Sequence, residues 1–348
     1  MRRRVALPLV FLTIAVVCGV AVELAARLIV KRREPEPVVP RVIGRRDSLL
    51  GWSLTPGAEG VSRRTGAPVE YRINSLGLRG RETTYQKPDG TFRIVVVGDS
   101  RTFGWGVPID QHFTTLLEGY FRKVEVINLG VSGYGIDQEL LRLRQEGFRF
   151  EPDLVLAYVA HYGGNRHMHT VRWGAVKPRF VLQHDSLVLM NSPVRRPAAG
   201  PNRSVNPGWL ARNLEVVRIL SAPGRSTQSD EEAQEIADSV DLANPSFHAQ
   251  LYQLGEALVF AMHNEASAHG ASFVLVTHID TLYRASISRN VLVLNVRDAL
   301  HNRLLELPAP LGHLNEAGNG VLAWAISEYL MAHQLVPRNH LNRKLLTQ

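Results

Sequence analysis

The chain has 348 residues, with 40 Lys and Arg against 32 Asp and Glu, and one cysteine, which excludes an intramolecular disulfide and a cysteine-based zinc site. Residues 1–33 hold seven of the basic residues and one acid, leaving 33 basic against 31 acidic residues in the remaining 315. The basicity therefore belongs to the N-terminus, and no basic stripe interleaved with aromatics argues for DNA or RNA as a partner.

In chain order, Arg2-Arg-Arg4 precedes Val5 to Val22, eighteen residues without a charge, and Lys31-Arg-Arg33 closes the region. That length meets the minimum for a transmembrane helix, and extension to Val30 adds Glu23 and Arg27 near one end, where they can snorkel. No small-x-small cleavage site follows, so residues 1–33 are expected to form an uncleaved signal anchor. Cations flank both ends, and charge alone does not orient it.

Glu34-Pro-Glu-Pro-Val-Val-Pro40 reads as a stiff spacer over 34–40, and a lead-in segment over about 41–90 is expected to pack on the core. From 91 to 335 the pattern is strand 93–98, helix 111–122, strand 124–129, helix 136–148, strand 153–160, helix 246–268, strands 272–278 and 290–296, and helix 316–333. Strands alternating with helices predict an α/β domain whose parallel sheet is covered on both faces. Residues about 170–245 interrupt this order with Pro193, Pro197, Pro201, Pro207 and Pro223 and read as an insertion beside the ligand-binding edge, with a short helical pattern at Trp209 to Leu220. Residues 336–348 form a tail.

The chemistry-bearing residues follow the strands. Arg93-Ile-Val-Val-Val-Gly-Asp-Ser100 is an apolar run that ends in a turn and lifts the hydroxyl of Ser100 at the carboxyl edge of the sheet, where open α/β sheets bind ligands. Such a serine is a candidate nucleophile or the cap of the next helix. Gly130-Val-Ser-Gly-Tyr-Gly135 is a loop able to aim a backbone N–H at an oxyanion, Gly163-Gly-Asn165 brings a side-chain amide to the same edge, and Gly312-His313 places an imidazole before a helix, from which it can reach back to the serine.

With Gly98-Asp-Ser100, Gly133, Gly164-Asn165 and His313 in this order, the chain resembles the SGNH hydrolase superfamily, the GDSL esterases and lipases, over roughly residues 70 to 333. The resemblance implies a three-layer α/β/α flavodoxin-like fold with a mostly parallel five-stranded sheet. It implies Ser100 as nucleophile, His313 as general base, an oxyanion hole formed by Ser100, Gly133 and Asn165, and no cofactor or metal. As in anchored members of that superfamily, the catalytic domain is expected to be periplasmic or otherwise extracytoplasmic, acting on ester-bearing glycans, lipids or small molecules.

The pattern departs from the superfamily at three places. Pro310 stands where the superfamily usually has the aspartate that orients the histidine; a backbone carbonyl near Pro310, Asp280 or Asp298 are the alternative acceptors for the imidazole N–H. Arg166 follows Asn165 where aspartate is common, and Arg101 follows the serine where a small or apolar residue is common. The two arginines either bind an anionic substrate or pair with a local acid such as Asp99. The functional expectation is a serine esterase working through an acyl-enzyme, with an O-acyltransferase of an envelope polysaccharide and a non-catalytic glycan- or protein-binding domain as alternatives.

Overall fold

The computed structural model describes residues 14, 16–28, 43–63, 65–160, 165–172, 175–194, 245–307 and 312–342. Two compact units divide the chain, residues 1–36 with 196–233 and residues 37–195 with 234–348. In the first unit, helix α1 spans 16–28 and leaves Val16, Val17, Val20, Val22, Leu24 and Leu28 between 53% and 62% exposed. Among the described residues no helix is long and apolar enough to cross a membrane. Residues 1–13 of the expected anchor, the Pro-rich spacer and the helical pattern at 209–220 lie outside the described residues.

The second unit opens with two antiparallel hairpins in the lead-in segment, β1 (Gly44–Asp47) with β2 (Gly51–Leu54) and β3 (Glu59–Ser62) with β4 (Val69–Arg72). The central sheet follows with β5 (Phe92–Gly98), β6 (Val124–Asn128) and β7 (Leu154–Val159). Two short antiparallel hairpins intervene, β8 (Val171–Arg172) with β9 (Ala175–Val176) and β10 (Arg179–Gln183) with β11 (Ser186–Met190). These occupy the start of the region read as an insertion. Strands β12 (Ser272–Thr277) and β13 (Val293–Asn295) complete the sheet.

The sheet order is β13-β12-β7-β5-β6, and every pairing in it is parallel. The order reverses between β5 and β7, the topological switch point at which a flavodoxin-like sheet leaves a crevice beyond its carboxyl ends. Strands β5 and β7 are buried along their whole length because both faces are covered. Val95 and Val97 pack with Leu140 and Leu143 of α4 (Ile136–Gln145) and with Leu258 and Met262 of α5 (Pro245–Ala268). Ile94 and Val96 face the other way, toward Phe113 and Leu117 of α3 (Phe113–Gly119) and toward Leu322 and Ile326 of α7 (Glu316–Ala332). Each such buried aliphatic side chain contributes roughly 2 kcal/mol of transfer free energy, so the run that carries Ser100 at its end is among the most firmly seated in the unit.

Between β12 and β13 the chain forms α6 (Asp280–Ser288), where no helix is expected from the sequence pattern; Leu282 and Ser286 are buried in it, and Tyr283 and Ala285 pack half-buried on the same cluster. A third apolar cluster joins the lead-in to the core. Ile43, Leu50, Leu54, Val69, Tyr71 and Ile73 pack against Phe103, Trp105, Val131 and Tyr134, which belong to the turn after β5 and the loop after β6.

Candidate active site

Gly98 ends β5, and Asp99 caps the single turn of α2 (Ser100–Phe103) by accepting the N–H of Arg101 at 2.9 Å. Ser100 is therefore the first residue of a helix turn at the carboxyl edge of the sheet, 6% exposed. The loop after β6 lies against this turn: Leu129 N–H donates to Val96 O at 2.9 Å and Val131 N–H to Gly98 O at 3.3 Å. Gly130 is required by that approach, because a Cβ there would meet the backbone nitrogen of Phe103 at 2.3 Å. Gly133, in the same loop, holds φ at 84°, a conformation in which its N–H can face a direction that an L side chain would resist. Trp52 of the lead-in fixes the loop by donating its indole N–H to Ser132 O at 3.0 Å, and Tyr134 donates its hydroxyl back to Trp52 O at 2.6 Å.

His313 Nε2 is 2.8 Å from Ser100 Oγ. The imidazole is held from several sides. Leu307 N–H donates to His313 O at 2.7 Å, Glu306 and Leu314 form an antiparallel bridge, and the ring lies 4.8 Å from that of Trp105. Arg101 donates from its guanidinium to Gly312 O at 2.7 Å, which clamps the residue before the histidine to the residue after the serine.

Asn165 follows β7, is 1% exposed, and has left-handed backbone with φ 50°. His169 Nε2 lies 2.8 Å from Asn165 Oδ1, and because that oxygen can only accept, Nε2 carries the proton. The contact fixes the rotation of the Asn165 side chain. Lys177 stabilises the same turn: its ammonium donates to Arg166 O and His169 O, both at 3.2 Å, and to Pro178 O at 2.9 Å, and it pairs with Asp137 of α4. Lys177 and Asp137 are both fully buried. Burial and the charges of Asp99 and Asp137 push the nearby Glu139 carboxyl well above its usual range, against the lowering effect of Arg166.

The two arginines singled out by the sequence have internal partners. Arg166 donates from Nη1 to Asp99 Oδ2 at 3.1 Å and to Tyr134 O at 3.2 Å, and Arg101 reaches Gly312. Of the alternative acceptors for the imidazole N–H, Asp280 is paired with Arg297 at 3.1 Å and Asp298 is exposed, while Pro310 lies outside the described residues, as does His161. His167 is buried, with Nε2 3.1 Å from Leu251 O, and among the described residues no group of His, Cys, Asp and Glu is arranged to hold a metal ion.

Sequence reasoning missed a buttress beneath the nucleophile turn. Arg79 of the lead-in is buried and donates to the carbonyls of Phe103 at 3.1 Å, Gly104, and Val107 at 2.7 Å. Burial lowers its pKa to about 10, so it stays charged at neutral pH. Nothing local distinguishes Arg79 from a solvated surface arginine; its role exists only once β4 and the turn meet. His112 is likewise buried, with Nε2 3.0 Å from Arg101 O and Nδ1 2.8 Å from Thr114 Oγ1.

Beyond the ends of β7 and β12 opens a cleft of about 370 Å³ lined in part by Tyr252, His278, Asp280, Thr281 and Arg297. Burial, with the charges of Arg101 and Arg297, lowers the His278 imidazole to about 4, so it is neutral at physiological pH. Its one acid and one guanidinium, Asp280 and Arg297, pair with each other at 3.1 Å.

Comparison with protein families finds no match, and no curated protein matches the chain. Among solved structures the chain is similar to the psychrotrophic esterase EstA from a Pseudoalteromonas species, with 13% identity, 70% of this chain and 98% of that one covered, and a TM-score of 0.38. It is similar to a member of the lipolytic protein G-D-S-L family from Veillonella parvula (13% identity, 68% and 97% covered, TM-score 0.38). It is also similar to a catalytic mutant of Axe2, an acetylxylan esterase from Geobacillus stearothermophilus (12% identity, 70% and 96% covered, TM-score 0.38). At a TM-score of 0.38 such likeness carries no argument of its own, and the functional reading rests on the distances and contacts above.

Proposed function

We propose that the protein is a serine esterase of the SGNH kind, in which Ser100 is the nucleophile and His313 the general base. The observation that carries this reading is the 2.8 Å contact between Ser100 Oγ and His313 Nε2 at the carboxyl edge of a parallel sheet, beside its switch point. Ser100 Oγ attacks the ester carbonyl carbon while its proton passes to His313 Nε2. The tetrahedral oxyanion is stabilised by the N–H groups of Ser100 and Gly133 and the amide of Asn165. Collapse expels the alcohol, which takes the proton from His313, and leaves an acyl-enzyme. Water, deprotonated by the same imidazole, then releases the acid and restores Ser100.

The same acyl-enzyme serves a second reading, in which a sugar hydroxyl takes the acyl group in place of water. Release of acetate from an acetylated oligosaccharide by wild type and its absence in Ser100→Ala test the hydrolase; transfer of the label to an added glycan without acetate release identifies the transferase. A protein inactive on both overturns the reading.

The charge-free run Val5 to Val22, of which Val16, Val17, Val20 and Val22 lie in α1 and are more than half exposed, supports an N-terminal membrane anchor. The resemblance to anchored SGNH hydrolases, and not the charge of the segment, supports an ester-cleaving unit that works outside the cytoplasm, on envelope or extracellular esters.

A further inference from the structure

Arg166 reaches into all three segments that carry the proposed acyl-transfer groups. Its Nη1 donates to Asp99 Oδ2 and to Tyr134 O, at 3.1 and 3.2 Å. Asp99 immediately precedes Ser100, Tyr134 immediately follows Gly133, and Arg166 itself immediately follows Asn165. Each contact thus acts one residue away from a group that must face the oxyanion. Asp99 shares its carboxylate between two tasks, since Oδ1 caps the nucleophile turn through the N–H of Arg101 while Oδ2 accepts from Arg166.

A second tie runs behind the first. The carbonyl of Arg166 accepts from Lys177, whose ammonium is bound to Asp137, and Asp137 lies in the first turn of α4, directly after the loop that holds Gly133. The Asn165 turn is therefore fastened to the Gly133 loop on both its side-chain and its main-chain side.

We propose that Arg166 is a positioning residue that locks the nucleophile turn, the Gly133 loop and the Asn165 turn in one register, so that three donors converge on one point; this rests on the reading of Ser100 as nucleophile. Arg166 and Asp99 are 12% and 10% exposed, so the pair is largely sealed and neutral, and presents little net charge to an anionic substrate. A planar guanidinium suits this place because it holds fixed donor directions toward acceptors from different segments, whereas an ammonium on a shorter stem does not.

The test uses the full-length protein and the variants Arg166→Met and Arg166→Lys, with hydrolysis of neutral and carboxylate-bearing aryl esters and amide hydrogen exchange at 130–135 and 165–169. Because small misplacements of catalytic groups are costly, Arg166→Met is expected to lower kcat about tenfold to a hundredfold with KM changed less than about threefold, equally for both esters. Exchange should quicken in both loops while β5 and β7 stay protected, and Arg166→Lys should recover part of each effect. Unchanged exchange in the two loops overturns the proposal, as does a rise in KM confined to the carboxylate-bearing ester, which would make Arg166 a substrate contact. A wild type inert toward both esters, with the loop exchange responding as expected, ends the hydrolase reading and leaves the structural tie standing.

Discussion

The guanidinium of Arg79 lies 4.4 Å from the ring of Tyr71, and the two side chains together support the turn that bears Ser100. Arg79 satisfies the carbonyls of Phe103, Gly104 and Val107, while the Tyr71 hydroxyl accepts the N–H of Gly106 at 2.9 Å. The lead-in segment is thus part of the platform beneath the proposed nucleophile.

Replacing Arg79 with Met removes the donor from the buried carbonyls of Phe103 and Val107, while Gly104 O keeps the N–H of Val107 at 3.5 Å. The expected loss is about 2 kcal/mol of unfolding free energy, since each orphaned buried group costs on the order of 1 kcal/mol or more. Urea unfolding of Arg79→Met against wild type measures it. A loss below about 0.5 kcal/mol, the range of an exposed surface change, would contradict the buttress.

The buried histidines predict a direction for acid sensitivity. Burial first, then the charge of Arg79, holds His112 down to about 3, and burial holds His167 down to about 4. Between the ordinary histidine value near 6.5 and these values the unfolded chain binds the protons and the folded chain does not. Stability is therefore present above that window and falls as pH falls through it, by about 1.4 kcal/mol per pH unit for each histidine. Glu139, raised by burial, works the opposite way, its contribution being lost as pH rises above the usual carboxylate range. The diagnostic quantity is thus the difference between wild type and His112→Asn. The variant should lose about 1.4 kcal/mol per pH unit of slope between about pH 6 and pH 4; parallel curves would contradict a neutral, buried His112.

The anchor proposal predicts that the full-length protein stays with the membrane through high salt and alkaline carbonate, and that a variant lacking residues 1–33 is released. A C-terminal reporter should score outside the cytoplasm. Release of the intact chain by salt alone, or a cytoplasmic reporter, would contradict it.

Strands β5 and β7 were legible because burial on both faces makes them continuous apolar runs. Helix α6 was not legible because its core face, Leu282, Tyr283, Ala285 and Ser286, mixes small and polar residues with a single aliphatic one over only nine residues. The site was legible in part. Ser100, Gly133, Asn165 and His313 were singled out by their places after strands and before a helix, together with the order of the four blocks. What Arg79, Lys177 and Asp137 do was hidden, because a buried ion pair between positions forty residues apart leaves no periodicity and no spacing signal. For Arg166, substrate binding and pairing with Asp99 were both open from composition, and the distance to Asp99 favours pairing.

The most direct measurement is labelling by a fluorophosphonate, whose phosphorus is attacked by an activated serine with loss of fluoride. Wild type should be labelled on Ser100, Ser100→Ala should not be labelled, and His313→Ala should react about a hundredfold or more slowly, the range of a lost general base. A wild type that stays unlabelled, or equal labelling of wild type and Ser100→Ala, would contradict the assignment of Ser100 and His313 as a working nucleophile and base.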